Sequence, residues 1–179
     1  MESKIILRIG GFNIKVDYSK LVNPFARKEF EISIIRKYSG FIYNNKIAKK
    51  PDFVITVNSI SIAETIYKKE KKSVYFKIYR FINANTIETY HYVSYMDFSM
   101  ILREIVMKLL SKNNGFMMHG SAVVDKNNFA HVFTGDSGDG KSTTMKLLSY
   151  ENMPAGDDSV IIRGEKGRYY LYQTPLFEK

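Results

Sequence analysis

One eight-residue segment, residues 135–142, constrains the fold of this chain more than any other part of it. It reads Gly-Asp-Ser-Gly-Asp-Gly-Lys-Ser, which is a Gly, four further residues and then Gly-Lys-Ser. Glycines at this spacing let the backbone curl so that successive N–H groups point inward at an anion such as a phosphate. Because such a loop connects a buried strand to the start of a helix, the segment favours an α/β unit around it.

The residues on either side of the loop fit that arrangement. Residues 129–134 are apolar and predict a buried strand, and residues 143–148 predict a helix. In loops of this kind the lysine, here Lys141, reaches the β- and γ-phosphates, and the hydroxyl of Ser142 is placed to bind Mg²⁺. The predicted nucleotide-binding residues are Gly135, Asp136, Ser137, Gly138, Asp139, Gly140, Lys141, Ser142 and Thr143.

Two adjacent carboxylates, Asp157 and Asp158, follow the predicted helix and precede an apolar stretch, residues 159–162. In enzymes that use nucleoside triphosphates, a carboxylate from a second strand holds Mg²⁺ or its water, and another accepts the proton of an attacking hydroxyl. Adjacent Asp residues are also common in ordinary turns. Their position after a phosphate-binding loop favours the functional interpretation.

Composition excludes several other kinds of protein and site. Of the 179 residues 45% are hydrophobic, which is typical of a globular protein and excludes a disordered chain. The absence of Cys excludes disulfides, thiolate nucleophiles and Cys-based metal sites. Three His residues are few for a zinc enzyme, and His91 and His131 have no motif partners, so we expect both to be structural.

The charge of the chain is strongly positive, because 27 Lys plus Arg against 18 Asp plus Glu give +9. Such a field favours nucleotides, acidic peptides and nucleic acid alike, so it does not choose among them. Every apolar stretch is shorter than the roughly 20 residues that a membrane-spanning helix needs, and the N-terminus does not resemble a secretory signal. We therefore expect a cytoplasmic protein with no membrane partner.

The pattern of apolar residues divides the chain into three parts. Residues 1–96 carry short β-branched and aromatic runs separated by turn residues, which predict an all-β N-terminal subdomain. Residues 97–114 predict a connecting helix that Asp97 caps and that ends at Asn and Gly near residue 115. Residues 115–179 contain the phosphate-binding loop. The expected fold class is α/β, or α+β overall, with a β-rich N-terminal subdomain and a small nucleotide-binding unit.

Individual strands are bounded by turn residues. Gly10 and Gly11 predict a tight hairpin turn, because glycine adopts the positive φ angles that such a turn needs. In the first part the predicted strands are residues 4–9, 12–16, 30–35, 53–57, 74–79 and 87–93. In the last part, residues 116–124 are predicted as one strand, joined by a hairpin turn to the strand before the loop.

Three blocks in the second half share a characteristic order and separation. They are Met-His-Gly-Ser-Ala-Val-Val at 118–124, Phe-Thr-Gly-Asp-Ser-Gly-Asp-Gly-Lys-Ser-Thr at 133–143 and Ala-Gly-Asp-Asp-Ser-Val at 155–160. Together they resemble the HPr kinase/phosphorylase-related kinases, whose nucleotide domain is similar to that of phosphoenolpyruvate carboxykinase. The resemblance covers the last third of the chain, and weakly its β-rich first half, and it implies a nucleotide unit of that kind.

The resemblance also implies a role for each matching residue. Lys141 and the loop amides would hold the triphosphate, Ser142 would bind the metal and Asp158 would assist it. Asp157 would be the general base on a Ser or Thr hydroxyl, and His119 would lie beside the phosphates, although a histidine there could also be a core residue satisfied within a sheet. Relatives supply a downstream Glu and Arg, so the resemblance implies a nucleotide unit shortened at its C-terminus.

These observations predict an ATP- and Mg²⁺-dependent kinase that phosphorylates a Ser or Thr hydroxyl of a peptide or small protein. The alternative is a non-catalytic nucleotide-binding module that recognises a peptide or protein partner through its β-rich half. Nucleic-acid binding is less favoured, because the Tyr and Phe residues follow strand periodicity and therefore fit packing better than base stacking. A shortened unit would expose an apolar sheet face, so we also expect a homo-oligomer or a segment supplied by another chain.

Overall fold

The computed structural model describes residues 3–43, 50–59, 69–70, 73–74, 79–90 and 95–176. Over these residues the protein is a mixed α+β structure with four β-sheets and three α-helices, which confirms the predicted α+β class. The chain divides into two compact units. The first comprises Met1–Arg8 and Phe12–Ile101, and the second comprises Ile9–Gly11 and Leu102–Lys179.

A five-stranded mixed sheet forms the framework of the N-terminal part. The strands in chain order are β1 (Lys4–Ile9), β2 (Phe12–Asp17), β3 (Phe53–Asn58), β4 (Lys69–Glu70), β5 (Ser73–Val74), β6 (Tyr79–Asn83) and β7 (Thr86–Tyr90). The large sheet has the order β1-β2-β3-β7-β6, and β4 and β5 form a separate antiparallel pair. Strand β3 is parallel to both β2 and β7, whereas β6 is antiparallel to β7.

Helix α1 (Pro24–Tyr38) lies between β2 and β3 and is followed by a 3₁₀ turn (Ser39–Phe41). It supplies the crossover that two parallel strands require. Its start is fixed by Asn23, whose side chain accepts the N–H groups of Phe25 and Ala26, and by a proline in the first turn.

This helix corrects the prediction that residues 1–96 are all-β and that residues 30–35 form a strand. Phe30, Ile34 and Tyr38 are spaced four residues apart and therefore share one helix face. The Phe30 ring packs 5.7 Å from the ring of Tyr18, and both Ile34 and Tyr38 are buried. Burial of that face stabilises a helix, although Ile32, Ile34 and Ile35 are β-branched residues that favour a strand.

The core of the N-terminal part follows the period of two that strands impose. Alternate side chains of the first three large-sheet strands are buried, so that each strand turns one face inward. The buried residues are Ile5, Leu7, Ile9, Phe12, Ile14, Val16, Phe53, Ile55 and Val57. The predicted strands at 4–9, 12–16 and 53–57 are thereby confirmed. The predictions for 74–79 and 87–93, and His91, lie partly or wholly outside the described residues.

The C-terminal part combines two small antiparallel sheets with two helices. Its elements are α2 (Tyr95–Ser111), β8 (Gly115–His119), β9 (Ser121–Val124), β10 (Ala130–Phe133), α3 (Lys141–Leu148), β11 (Met153–Gly156), β12 (Ser159–Glu165) and β13 (Arg168–Tyr172). One sheet has the order β10-β9-β11 and the other β13-β12-β8. Among the described residues, no helix has both the length and the apolar character to cross a membrane.

Two predictions for this part are corrected. The helix expected from Asp97 begins at Tyr95 and ends at Ser111. Residues 116–124 are not one strand, because Gly120 separates β8 from β9 and the two strands join different sheets. At Gly120 the N–H donates to the carbonyl of Asp158 over 3.2 Å, and an added Cβ would lie 2.8 Å from the Phe133 carbonyl oxygen. The close approach explains why glycine stands at this break.

One buried cluster of the C-terminal part connects its strands. Ala122, Ala155 and Val160 form a buried cluster, with partly buried apolar side chains from β8, β9, β10 and β13 packed against it. Several large side chains remain exposed, among them Phe116, Phe129 and Tyr169. Self-association through such residues stays a prediction.

Candidate functional site

The loop between β10 and α3 has the backbone that the glycine pattern predicts. Gly138 has φ 98° and Gly140 has φ 79°, values that glycine adopts without a steric cost. Gly140 is the N-cap of α3, and no side chain caps this helix end. The first N–H groups of α3 therefore lack a side-chain acceptor, which makes this end suited to an anion. The predicted strand before the loop and helix after it are confirmed, but the strand is not buried as predicted, because β10 is an edge strand whose residues are exposed or half-buried.

Lys141, the first residue of α3, folds its side chain back onto the loop. Its Nζ donates hydrogen bonds to the carbonyl of Gly135 at 2.9 Å and to that of Asp136 at 2.7 Å. The ammonium charge is thereby held beside the positive end of the helix. Ser137 and Thr143 are exposed, the first in the loop and the second on α3. Of the nine predicted residues, Gly135 to Gly140 form the loop and Lys141 to Thr143 form the start of α3.

Asp157 lies in the turn between β11 and β12 and connects two other elements. Its Oδ1 accepts hydrogen bonds from the hydroxyl of Ser142 on α3 and from that of Ser121 on β9, both at 2.7 Å. The pKa of the Asp157 carboxyl is lowered, chiefly by the hydrogen bond from Ser142. Burial raises this pKa, whereas the hydrogen bond from Ser121 and the charge of Lys146 lower it further. Asp157 is therefore ionised at neutral pH and is a weak base.

Asp158 occupies the same turn with a different set of partners. It has φ 79°, an uncommon conformation for a residue with a side chain. Its Oδ1 lies 3.4 Å from Nδ1 of His119, the last residue of β8, which the β8–β12 register pairs with Ser159. Its Oδ2 is buried and has no hydrogen-bond partner within the described residues, and the same holds for Oγ of Ser159. Buried oxygens of this kind call for a donor or a cation.

The donor set of this turn fits Mg²⁺. Carboxylate and hydroxyl oxygens, here from Asp157 and Ser142, are the ligands that Mg²⁺ prefers, and the unpartnered Oδ2 of Asp158 in the same turn can accept a hydrogen bond from a water of a bound cation. In the described part of the chain no group of three or more His, Cys, Asp or Glu side chains could hold a metal ion. A cation here would share its coordination with phosphates and water, as Mg²⁺ commonly does.

Two pairings that the sequence did not predict connect the candidate residues. Ser142 is hydrogen-bonded to Asp157 rather than to Asp158, and Asp158 pairs with His119. Ser121 was not predicted as a site residue. It is 36 residues from Asp157 in sequence, and only its place in the block at 118–124 connected it with the loop. His131 pairs with Asp125 across its own hairpin at 3.0 Å.

No protein-family model matches this sequence, and no curated protein matches it either. The chemistry available to the site follows from its own residues. Three features define that chemistry. The start of α3 lacks a side-chain cap, Lys141 is hydrogen-bonded to the loop before it, and Asp157, which precedes Asp158, accepts a hydrogen bond from Ser142 in the first turn of α3.

Proposed function

We propose that this chain is an ATP- and Mg²⁺-dependent phosphotransferase that transfers the γ-phosphate to a Ser or Thr hydroxyl of a peptide or small protein. Its nucleotide unit would be of the kind found in the HPr kinase-related enzymes that its motifs resemble. The observation that carries the proposal is the 2.7 Å hydrogen bond between Ser142 of the loop and Asp157. This hydrogen bond joins the proposed phosphate-binding segment to a carboxylate. Phosphoryl-transfer sites of this type hold Mg²⁺ between the hydroxyl of the loop Ser or Thr and a carboxylate from another strand.

The loop would bind the triphosphate. The uncapped N–H groups at the start of α3 supply hydrogen-bond donors, and Lys141 supplies a positive charge at the same place. In the absence of phosphate that charge is shared between two loop carbonyls, which are neutral acceptors. Phosphate oxygens are stronger acceptors for an ammonium group, so exchange of partners at Lys141 would favour binding.

Asp157 is better placed to serve the metal than to act as a base. It already accepts two hydroxyl hydrogen bonds, and its pKa is lowered chiefly by the one from Ser142. A carboxylate of that kind stays ionised and holds Ser142 in position. Mg²⁺ bound to the phosphates would neutralise negative charge that develops during transfer.

Asp158 is the better candidate for the general base, which reverses the roles that the resemblance implies for the two carboxylates. Its Oδ2 is buried without a hydrogen-bond partner in the described structure, but the side chain as a whole is 29% exposed, so an acceptor hydroxyl that displaced the atoms covering Oδ2 would find an oxygen able to take its proton. His119 contacts the other oxygen of the same carboxylate and would fix its orientation. The acceptor would therefore approach the side of the turn that carries Asp158.

Calorimetric titration with MgATP tests the nucleotide-binding part of this proposal. Lys141→Ala should weaken binding at least about tenfold, because the loop loses its charged phosphate ligand. Lys126→Ala is the matched control, since Lys126 is an exposed lysine of the β9–β10 turn and its loss changes the net charge equally. Absence of MgATP binding by the unmodified protein would contradict the proposal.

Transfer is then measured on the same samples, as release of the γ-phosphate and as its incorporation into a mixed library of Ser- and Thr-containing peptides. Incorporation that Lys141→Ala abolishes is the expected result. If MgATP binds but the γ-phosphate is neither released nor incorporated into peptide, the result would contradict the phosphotransferase and favour the alternative. That alternative is a nucleotide-binding module that recognises a peptide or protein without modifying it.

A further inference from the structure

The first peptide group of the phosphate-binding loop is held from both sides. Its carbonyl, that of Gly135, accepts a hydrogen bond from Nζ of Lys141 at 2.9 Å. Its N–H, that of Asp136, donates to Oδ2 of Asp139 at 2.7 Å. Because the C=O and N–H of a trans peptide point in opposite directions, the Asp139 carboxylate and the Lys141 ammonium lie on opposite sides of this group.

Two further observations show that the Asp139 carboxylate is closely fitted to the loop. The N–H of Asp139 donates back to the carbonyl of Asp136 at 3.2 Å, so residues 136 and 139 are joined twice. A Cβ added to Gly135 would lie 2.5 Å from Oδ2 of Asp139. The carboxylate therefore occupies the space that any side chain at position 135 would need.

We propose that Asp139 is a positioning residue that preorganises the phosphate-binding loop by fixing the Gly135–Asp136 peptide group and, through that group, the place of Lys141. A negative acceptor on the N–H side and a cation on the C=O side polarise the same amide, so each hydrogen bond strengthens the other. The loop then loses less conformational entropy when phosphate binds. This inference rests on the proposed nucleotide-binding function.

The charge of Asp139 and its hydrogen bond predict opposite effects of its removal on phosphate affinity. The loop, residues 135–142, carries two Asp and one Lys, a net charge of −2 + 1 = −1. If Asp139 acted only through its charge, it would repel phosphate, and its removal would tighten binding. If it acts as a hydrogen-bond acceptor that positions the loop, its removal weakens binding.

The experiment is calorimetric titration of MgATP into the full chain and three variants. Asp139→Ala should bind about three- to tenfold more weakly, because one charge-assisted hydrogen bond of an exposed loop is lost. Asp139→Asn keeps an acceptor oxygen and should bind within about twofold of the unmodified protein. Asp136→Asn removes the same charge from the same loop and leaves the backbone N–H in place, so it controls for charge. Melting temperatures measured without nucleotide establish that each variant is folded.

A second readout needs no nucleotide. In the free protein the Asp136 N–H is hydrogen-bonded to Asp139 Oδ2, so its exchange with solvent, measured by NMR, should be faster in Asp139→Ala than in the unmodified protein. Asp136→Asn keeps that backbone hydrogen bond and should retain the slow exchange. Equal or tighter binding by both Asp139 variants would overturn the inference and leave the proposed function standing. If the unmodified protein fails to bind MgATP, the proposed function fails, and an Asp136 N–H that exchanges equally fast in the unmodified protein and in Asp139→Ala then overturns the positioning role as well.

Discussion

Each unit of the molecule contains a partly or fully buried carboxylate cluster, and the two clusters are satisfied in different ways. In the first unit Glu88, on β7, is only 6% exposed and is bound by two cations. Arg80 lies 2.6 Å from its Oε2 and Lys20 lies 3.3 Å from its Oε1. In the second unit Asp157 is bound by two hydroxyls, and Asp158 is bound on one oxygen by His119.

The difference separates a structural carboxylate from one that is suited to bind a ligand. Glu88 has cations of the chain itself at both oxygens, so it has no need of an external one. The pair at 157–158 is held by hydroxyls and a histidine, and Asp158 Oδ2 has no partner among the described residues. A charged group that is desolvated without a full ion pair is costly unless a cation arrives. The second cluster is therefore the candidate cation site.

The largest expected effect is on phosphate transfer by Asp158→Asn. Loss of a general base should lower the transfer rate at least about 100-fold, because the amide cannot accept the proton of the acceptor hydroxyl. The affinity for MgATP should change less than about threefold, since Asp158 is not joined to the loop. Rates are measured with the peptide library and compared with Glu88→Gln, which should transfer phosphate normally. An unchanged transfer rate in Asp158→Asn would contradict this assignment and favour Asp157 as the general base.

The next effect is on the metal requirement of Asp157→Asn. The Mg²⁺ concentration needed for half-maximal ATP binding should rise about tenfold, because the site loses a negative ligand next to Ser142. Binding of ATP without Mg²⁺ should stay the same or tighten, since one repulsive charge is gone. Titration with MgCl₂ at fixed ATP measures both quantities. A metal requirement equal to that of the unmodified protein would show that Asp157 does not serve the metal.

The smallest expected effect is on stability and concerns Glu88→Gln. Its unfolding free energy, measured by urea denaturation at neutral pH, should fall by about 1–2 kcal/mol, less than for a fully buried ion pair because Lys20 and Arg80 are about half exposed. Asn23→Ala is the control, because loss of the α1 N-cap should lower the unfolding free energy by a similar amount, about 1 kcal/mol. MgATP affinity should be unchanged in both.

The pH dependence of stability distinguishes these two variants. Hydrogen bonds from Asn58, and then from Arg80 and Lys20, lower the pKa of Glu88 despite its burial. The unfolded chain therefore takes up this proton at a higher pH than the folded protein. The stabilisation is complete above about pH 5 and is lost as the pH falls below about 4. Glu88→Gln should flatten that decline, and Asn23→Ala should leave it unchanged. A decline equally steep in Glu88→Gln would place the titrating group elsewhere.

The conformation of the loop at 135–142 could be predicted from sequence because its requirements are local. Three glycines, a lysine and a hydroxyl residue must lie within eight residues of chain, so their spacing is visible in the sequence. The strands of the first hairpin were predictable for a similar reason, since alternate burial leaves a period of two. Helix α1 was missed because a β-branched run at 32–35 concealed the spacing of Phe30, Ile34 and Tyr38, although the Asn-Pro pair at 23–24 is a helix start signal.

The pairings at the carboxylates could not be predicted, because they depend on where distant strands end. Ser121 reaches Asp157 only because β9 begins directly after the break at Gly120, and that break brings β8 and β9 into different sheets. The same break leaves His119 opposite Ser159 and hence beside Asp158. No pattern within any one segment encodes these contacts.

The loop and the carboxylate pair are proposed to form one site that needs a cation from outside. Calorimetric titration of ATP into the unmodified protein, with Mg²⁺ and with the metal removed by a chelator, tests it most directly. ATP should bind at least about tenfold more tightly with Mg²⁺, because the Asp157 carboxylate, joined to the loop through Ser142, otherwise repels the phosphates without a compensating charge. Equal affinity in the two conditions, or no binding in either, would contradict it.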